Sequence, residues 1–466
     1  MSAARDADLP SRTAFWPRLS WHVTDLMRLA WPVMLSRAGI LAMAFCDVVM
    51  LGRYEPGAVG VANLGLAIFI PLLVMSIGLC SGVVAVVSRA YGAGEWVECG
   101  RAWRRAMVWG TVVSLMAASM VWQAEDVLLL FGQEAGLSEA GGDVAQALAP
   151  GLIAQVLFAI CAFYLEATRR PLVALAAMIG ANLINLALNW LLIYGSLGAP
   201  ELGAVGAAIA STLARFAAMA GMVLAILWQP SAQAAGVRGP WETFWGPGGW
   251  RAGALMRKLG VSAGLSNGFE TLGFAAMTLF AGQISLAALD AYSIAHNLTS
   301  TVFMVGLGMA IAAGVRVGIE VGRNRPSEAA FAGWSGLGTA FVVLAMLGTL
   351  IAMGQDVIAA VYTNDPELRV SSAFLIALSA LIFVPDTAQV VLGQAVRALG
   401  DAWVPIGVYA LSFVVLLIPA GWLLGIHWGL GAQGLIFAIV GSCVLASGLL
   451  AWRFAVLTRS VRPDQP

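Results

Sequence analysis

The amino-acid sequence predicts an all-α integral membrane protein: twelve transmembrane helices in two pseudo-symmetric six-helix bundles. Three observations carry this, namely the composition, the number of long apolar runs and an internal repeat. Of 466 residues, 60% are hydrophobic and only 11% charged, where a soluble domain carries about 25% charge. That deficit excludes a cytosolic globular fold. The 25 basic and 25 acidic residues cancel, so no basic face offers itself to nucleic acid. Five cysteines (Cys46, Cys80, Cys99, Cys161 and Cys443) form no CxxC pair, and His22, His296 and His427 are scattered. Neither a disulfide framework, a zinc site nor a cofactor is expected. The N-terminal stretch is polar and holds no short apolar run ending in a cleavage site, so no removable signal peptide is expected.

A helix needs about 20 mostly apolar residues to cross a bilayer. Twelve stretches qualify: 29–51, 61–88, 105–123, 144–166, 171–194, 203–228, 259–281, 291–315, 331–353, 371–395, 403–424 and 431–456. They are continuous runs rather than ten-residue alternations, which points to helices and not barrel strands. Basic residues orient them. With the N-terminus inside, 21 bases fall on inner segments and only Arg53 and Arg369 on outer ones, while Arg37 and Arg215 lie within spans. The expected organisation is a cytoplasmic N-terminal segment at 1–28, an N-lobe at 29–228, a cytoplasmic linker at 229–258, a C-lobe at 259–456 and a cytoplasmic tail at 457–466. Pro230, Pro240 and Pro247 with four bases mark the linker.

The two groups of six repeat. Leu26-Met27-Arg28 recurs as Leu255-Met256-Arg257, Gly78-Leu79 as Gly306-Leu307, and Leu202-Gly203-Ala204-x-Gly206 as Leu430-Gly431-Ala432-x-Gly434, at offsets of 229, 228 and 228. An even number of helices per half gives both halves one orientation. Transporters of such build bind cargo between repeats and alternate between inward and outward states.

A carboxylate at the centre of a spanning helix costs about 2.5–3.5 kcal/mol to insert and marks ion or proton paths by default. Three spans carry one: Asp47, Glu270 and Asp386. Glu166 lies near an inner end, within reach of Arg169 or Arg170, and is discounted. Arg37 and Arg215 are expected to snorkel or to pair with inner loops. Asp47 and Asn189 each sit 18 residues from the inner end of their span, about 27 Å. Asn185 and Asn182 continue the same helix face. One carboxylate with amides at matched depth suits a proton or a small hard cation. Glu270 and Asp386 lie near the midplane, with Ser262, Ser266 and Asn267 beside the first and Gln389 one turn from the second. Two approaching carboxylates would share a proton or a cation. Pro32 bends span one. His296 and Asn297 are expected at a cavity wall, or as structural hydrogen-bonding residues.

These residues resemble the multidrug and toxic compound extrusion (MATE) family, most like its NorM-type branch, over nearly the whole chain. The likeness rests on Ala30-Trp31-Pro32-Val33, Phe45-Cys46-Asp47-Val48-Val49-Met50-Leu51-Gly52, Arg89-Ala90-Tyr91-Gly92-Ala93-Gly94, Asn185-x-x-x-Asn189-Trp190-x-x-Ile193-Tyr194-Gly195, Phe269-Glu270, Ala295-His296-Asn297 and Pro385-Asp386-x-x-Gln389-Val390-Val391. The resemblance implies an antiporter with two lobes and a central cavity, exporting bulky, often cationic compounds for Na+ or H+. It implies cation or proton coupling at Asp47, Asn185 and Asn189 and at Glu270 and Asp386, the ion at Asp47 or at Glu270 and Asp386 being Na+ or H+. Asn182, Asn267, His296, Asn297 and Gln389 are implied as cavity lining or support. Some members carry an aromatic residue one turn before the second-lobe acid, where this chain has Ile382.

Two other functions compete. A lipid-linked-precursor or polysaccharide flippase would favour basic groups lining the cavity, whereas the deep charges here are mainly acidic. A membrane-embedded enzyme would need an HExxH, an aspartate-rich pair or a Ser-His arrangement, none of which occurs. The expectation is therefore a multidrug efflux transporter, not an enzyme. It would be monomeric, surrounded by lipid in a bacterial cytoplasmic (inner) membrane, with both termini cytoplasmic and small organic cations as cargo.

Overall fold

Backbone in a bilayer has no water to bond, so apolar runs close their hydrogen bonds within helices. The computed structural model describes residues 15–55, 57–230, 232–238 and 248–460, with no strand among them. Parts of the expected N-terminal segment, linker (with Pro240 and Pro247) and tail lie outside the described residues. Twelve helices follow in order: α1 (Phe15–Gly52), α2 (Ala58–Gly92), α3 (Trp96–Val121), α4 (Ala135–Ala167), α5 (Pro171–Ile193), α6 (Gly203–Trp228), α7 (Ala254–Ile284), α8 (Leu286–Gly322), α9 (Pro326–Met353), α10 (Pro366–Ala398), α11 (Trp403–His427) and α12 (Gly431–Ser460). Short helices at Ala124–Leu130 and Gln355–Tyr362 continue α3 and α9, the first bent by 51°.

Among the described residues, ten helices are long and apolar enough to span a membrane, or eleven when α3 counts with its bent continuation. The twelfth, α7, has 31 residues, about 46 Å. Its length is ample, but Ser262, Ser266, Asn267 and Glu270 dilute its apolarity. Exposed faces elsewhere carry Leu115, Met116 and Met120 on α3 and Phe341, Met346 and Leu350 on α9, as lipid contact requires. Helix starts follow local chemistry. Pro171, Pro326 and Pro366 occupy first-turn positions, where proline's missing N–H costs nothing. Ser285 and Asp365 cap α8 and α10, accepting from the backbone N–H of Ala288 and Glu367 at 3.0 Å each.

The repeated glycine motif has a structural cause. Gly203 and Gly431 open α6 and α12 at φ 53° and 63°, a left-handed conformation that glycine adopts without penalty. Three residues on, a Cβ at Gly206 would lie 2.4 Å from the Leu192 carbonyl oxygen, and one at Gly434 2.7 Å from that of Leu424. The same carbonyls accept from the Leu202 and Leu430 N–H at 3.0 and 3.1 Å. Each half thus presses its last helix onto the backbone of the preceding one.

Packing divides the chain into two units. One is Leu35–Thr271; the other joins the residues up to Met34 with those from Leu272 onward. The divides fall inside α1 and α7, the first helix of each half. In the first unit α4 is the central helix, with 83% of its apolar window buried; in the second α8 has that place, with 78%.

The helix α1 begins at Phe15 rather than near residue 29 because its first turns have partners within the second unit. Arg316 Nε donates to Asp25 at 3.1 Å, and Arg18 pairs with Glu328 at 3.0 Å. Arg316 also donates to His22 Nδ1, so the ring accepts there and donates through Nε2 to Glu328 at 3.2 Å. Arg18 lies 4.0 Å above the Phe331 ring, a cation–π contact. An apolarity scan cannot see a stretch held by charge.

Candidate functional site

In the first unit, three helices converge on Asp47. Asn189 and Asn185 of α5 both donate Nδ2–H to Asp47 Oδ1, at 2.6 and 3.1 Å, and the Ser211 hydroxyl of α6 donates to Oδ2 at 2.6 Å. The ring closes on itself: Asn185 Nδ2 also donates to Ser211 Oγ at 3.1 Å, and Asn189 Nδ2 to Asn185 Oδ1 at 3.2 Å. Asn185 and Asn189 are fully buried and Ser211 is 1% exposed. Helical spacing explains the stripe, since residues four apart share a face. Asn189 Oδ1 is buried without a partner, so the cluster retains an acceptor for a further hydrogen or cation. A carboxylate fixed by three donors, with an amide oxygen to spare, can take up and release a small positive charge.

An apolar plug lies one turn beyond. Leu51, Ala62, Ile193 and Ala207 form a buried cluster, packed by Met50 and Tyr194. Tyr194 Oη donates to the Met50 carbonyl at 2.9 Å. At the loop that follows α1, a hydrogen bond to Glu201 pushes the Tyr54 phenol above its ordinary value. Beside the plug, Phe45, Cys46, Val49, Met50, Arg53 and Leu186 line a cavity of about 330 Å³ with Tyr194.

Some expected residues have other work. Asn182, on the same face of α5, donates to the Gly39 and Met178 carbonyls at 3.0 and 2.9 Å, which ties α5 to α1 below the site. Glu166 is held by Arg37, at 3.0 and 3.3 Å. The expected reach to Arg169 or Arg170 and the expected snorkelling of Arg37 are therefore corrected: both groups are buried, and a pair satisfies them better than long reaches would. Arg215 stacks on Phe69, 5.0 Å from the ring centroid. Pro32 is buried within α1.

Ser211 was missed by sequence reasoning, although a signal existed. Asn185 lies eight residues before the end of α5 and Ser211 eight after the start of α6. Equal distances from a shared loop put two side chains at one depth.

In the second unit Asp386 of α10 is 5% exposed. Gln389 of its own helix donates to Oδ1 at 3.2 Å, and Cys443 of α12 approaches at 3.8 Å through sulfur. Ile382, one turn earlier, lines a water-sized cavity with Phe274, Tyr292, His296, Ser379 and neighbours. His296 stacks on Tyr292 at 5.8 Å and meets Phe274 at 5.5 Å. Asn297 accepts from Tyr362 Oη at 2.9 Å. Glu270 and Asn267 are half-buried on α7, in the stretch that packs with the first unit, and Ser262 and Ser266 are buried there.

A polytopic helical bundle with hydrogen-bonded carboxylates buried in its spans belongs to the class of membrane transporters. The MatE family model matches residues 32–191 and 263–423, and the chain belongs to this family. It is similar to a "probable multidrug resistance protein NorM" of Caulobacter vibrioides, 33% identical over 98% of this chain and 95% of the relative. A protein of the same description from Rhodopseudomonas palustris is 32% identical over 98% of this chain and 96% of that one. The solved structure of the eukaryotic MATE transporter AtDTX14 matches with a TM-score of 0.85, 18% identity, and coverage of 95% of this chain and 99% of that one. The chain is thus an integral, multi-pass transporter with the MATE fold, not an enzyme.

Proposed function

We propose that this protein is a secondary active multidrug efflux antiporter, exporting small organic, often cationic compounds in exchange for H+ or Na+ by alternating access. The observation that carries the reading is the Asp47 cluster: a half-buried carboxylate ringed by the buried Asn185, Asn189 and Ser211. The relatives' description as multidrug resistance proteins supports the direction and breadth of transport. Binding of the ion at Asp47 favours one conformation and cargo the other, and each shifts the balance only by its differential affinity. Glu270 and Asp386 are proposed as further coupling carboxylates. Aromatic and methionine side chains such as Phe45 and Met50 supply adaptable apolar contact for varied cargo. The setting is a bacterial cytoplasmic membrane with both termini inside, in keeping with the 21 bases on inner segments against two on outer ones. A monomer suffices, since the proposed coupling residues all lie in one chain.

The test is purified protein in proteoliposomes, given first a pH gradient and then a sodium gradient, with ethidium as cargo. One of the two gradients is expected to drive ethidium across the membrane, and the Asp47→Asn variant to abolish the response with helicity unchanged. Full gradient-driven movement by that variant would reject the role of Asp47. Failure of both gradients to move any dye would reject antiport.

A further inference from the structure

Ser211 and Arg215 are four residues apart on α6 and so share a face. The Ser211 hydroxyl bonds Asp47, which fixes that face toward the site. Arg215 is held back from it. Its guanidinium stacks on the Phe69 ring of α2, with the centroid 5.0 Å away, and its Nη1 lies 3.3 Å from where a Cβ of Gly151 on α4 would stand. That nitrogen is buried with no hydrogen-bond partner.

Besides Asp47, the acids on the described helices around Arg215 are engaged or distant: Glu139 and Asp143 of α4 lie eight or more residues from Gly151, about 12 Å or more along the helix. Arg37 of α1 already holds Glu166 of α4. The α5 helix brings only the amides of Asn185 and Asn189 to Asp47, and Ala58–Cys80 of α2 carries no charged residue. Along the shared face of α6, Asp47 is the acid that Ser211 holds one turn from Arg215.

We infer that Arg215 is a resident counter-cation of Asp47, a positioning residue that competes with the coupling ion for the carboxylate and sets how readily that ion leaves. The guanidinium keeps its proton in any protein environment. While Asp47 is ionised, the two charges compensate each other. Loading Asp47 with a proton or a cation leaves Arg215 uncompensated in a low-dielectric interior, where an isolated charge is costly. Loading is thereby weakened and unloading assisted. The stack on Phe69 keeps the guanidinium near enough to be felt without a direct bridge that would close the carboxylate to the ion. A transporter gains from this, because an ion held too tightly stops the cycle.

The inference rests on Asp47 being a coupling site, and the experiment separates the two. In proteoliposomes, the pH at which ethidium export is half-maximal is measured for wild type, Arg215→Gln, Arg215→Met, Arg215→Lys and Asp47→Asn. Both neutral variants are expected to shift the profile to higher pH by about one unit, tenfold in proton affinity. Arg215→Lys, which keeps the charge, is expected to restore the wild-type profile. If sodium is the driving ion, the half-saturating sodium concentration falls about tenfold in the neutral variants. An unshifted profile overturns the inference, as does a lysine variant displaced as far as glutamine. So does the failure of both neutral variants to fold, since the guanidinium would then be structural. If Asp47→Asn keeps full coupled export, the reading of Asp47 itself fails. If that variant is inactive and Arg215→Gln is unshifted, only the role of Arg215 falls.

Discussion

The two intramembrane aspartates, Asp47 half-buried and Asp386 buried, are held in different ways. Asp47 takes donors from two neighbouring helices, Asn185 and Asn189 on α5 and Ser211 on α6. Asp386 takes one amide from its own helix and a weak sulfur contact from α12. A carboxylate tied across helices couples its charge to their spacing, because any change in occupancy alters bonds that hold α1, α5 and α6 together. One tied to its own helix can change charge with little pull on its neighbours. Under the proposed antiport, the difference suits Asp47 to converting ion binding into helix movement, whereas Asp386 is a carboxylate kept buried with few fixed partners. The first also has a guanidinium nearby, that of Arg215, one turn along α6 from the donor Ser211.

Four substitutions break or sharpen this contrast. Asp47→Asn is expected to have the largest effect, reducing gradient-driven ethidium export in proteoliposomes to the protein-free background. Asp386→Asn follows, with export lowered about tenfold, as loss of a charge-assisted interaction worth about 1.5 kcal/mol implies; a loss equal to that of Asp47→Asn would erase the distinction. Ser211→Ala removes one of three donors to Asp47, so coupled export is expected to fall about fivefold, in line with about 1 kcal/mol per hydrogen bond. Asn182→Ala is expected to have the smallest effect, under about twofold on initial export rate, because its bonds run to backbone carbonyls and exposed or locally replaceable bonds contribute little. A strong loss there would make the whole asparagine stripe functional.

The sequence carried more of the fold than of the site. Hydropathy located the spans because the bilayer demands it, and even α7 was found despite its polar face. The beginning of α1 was not, since His22, Asp25 and Arg18 are held by Arg316 and Glu328 from the second half of the chain. Depth counting brought Asp47, Asn185 and Asn189 together correctly. It assigned Glu166 to its chain neighbours, where the fold supplied Arg37 from α1.

By itself, the sequence determined the helical membrane architecture, the twofold repeat and which carboxylates are costly enough to need a purpose. These follow from one-dimensional facts: run length, spacing and the energy of charge in hydrocarbon. The tertiary structure alone decided that the Ser211 hydroxyl turns toward Asp47, that Arg37 neutralises Glu166 and that Arg215 rests on Phe69. Helix rotation sets those partnerships, and rotation is fixed by side chains packing between helices rather than by the hydropathy of any one of them.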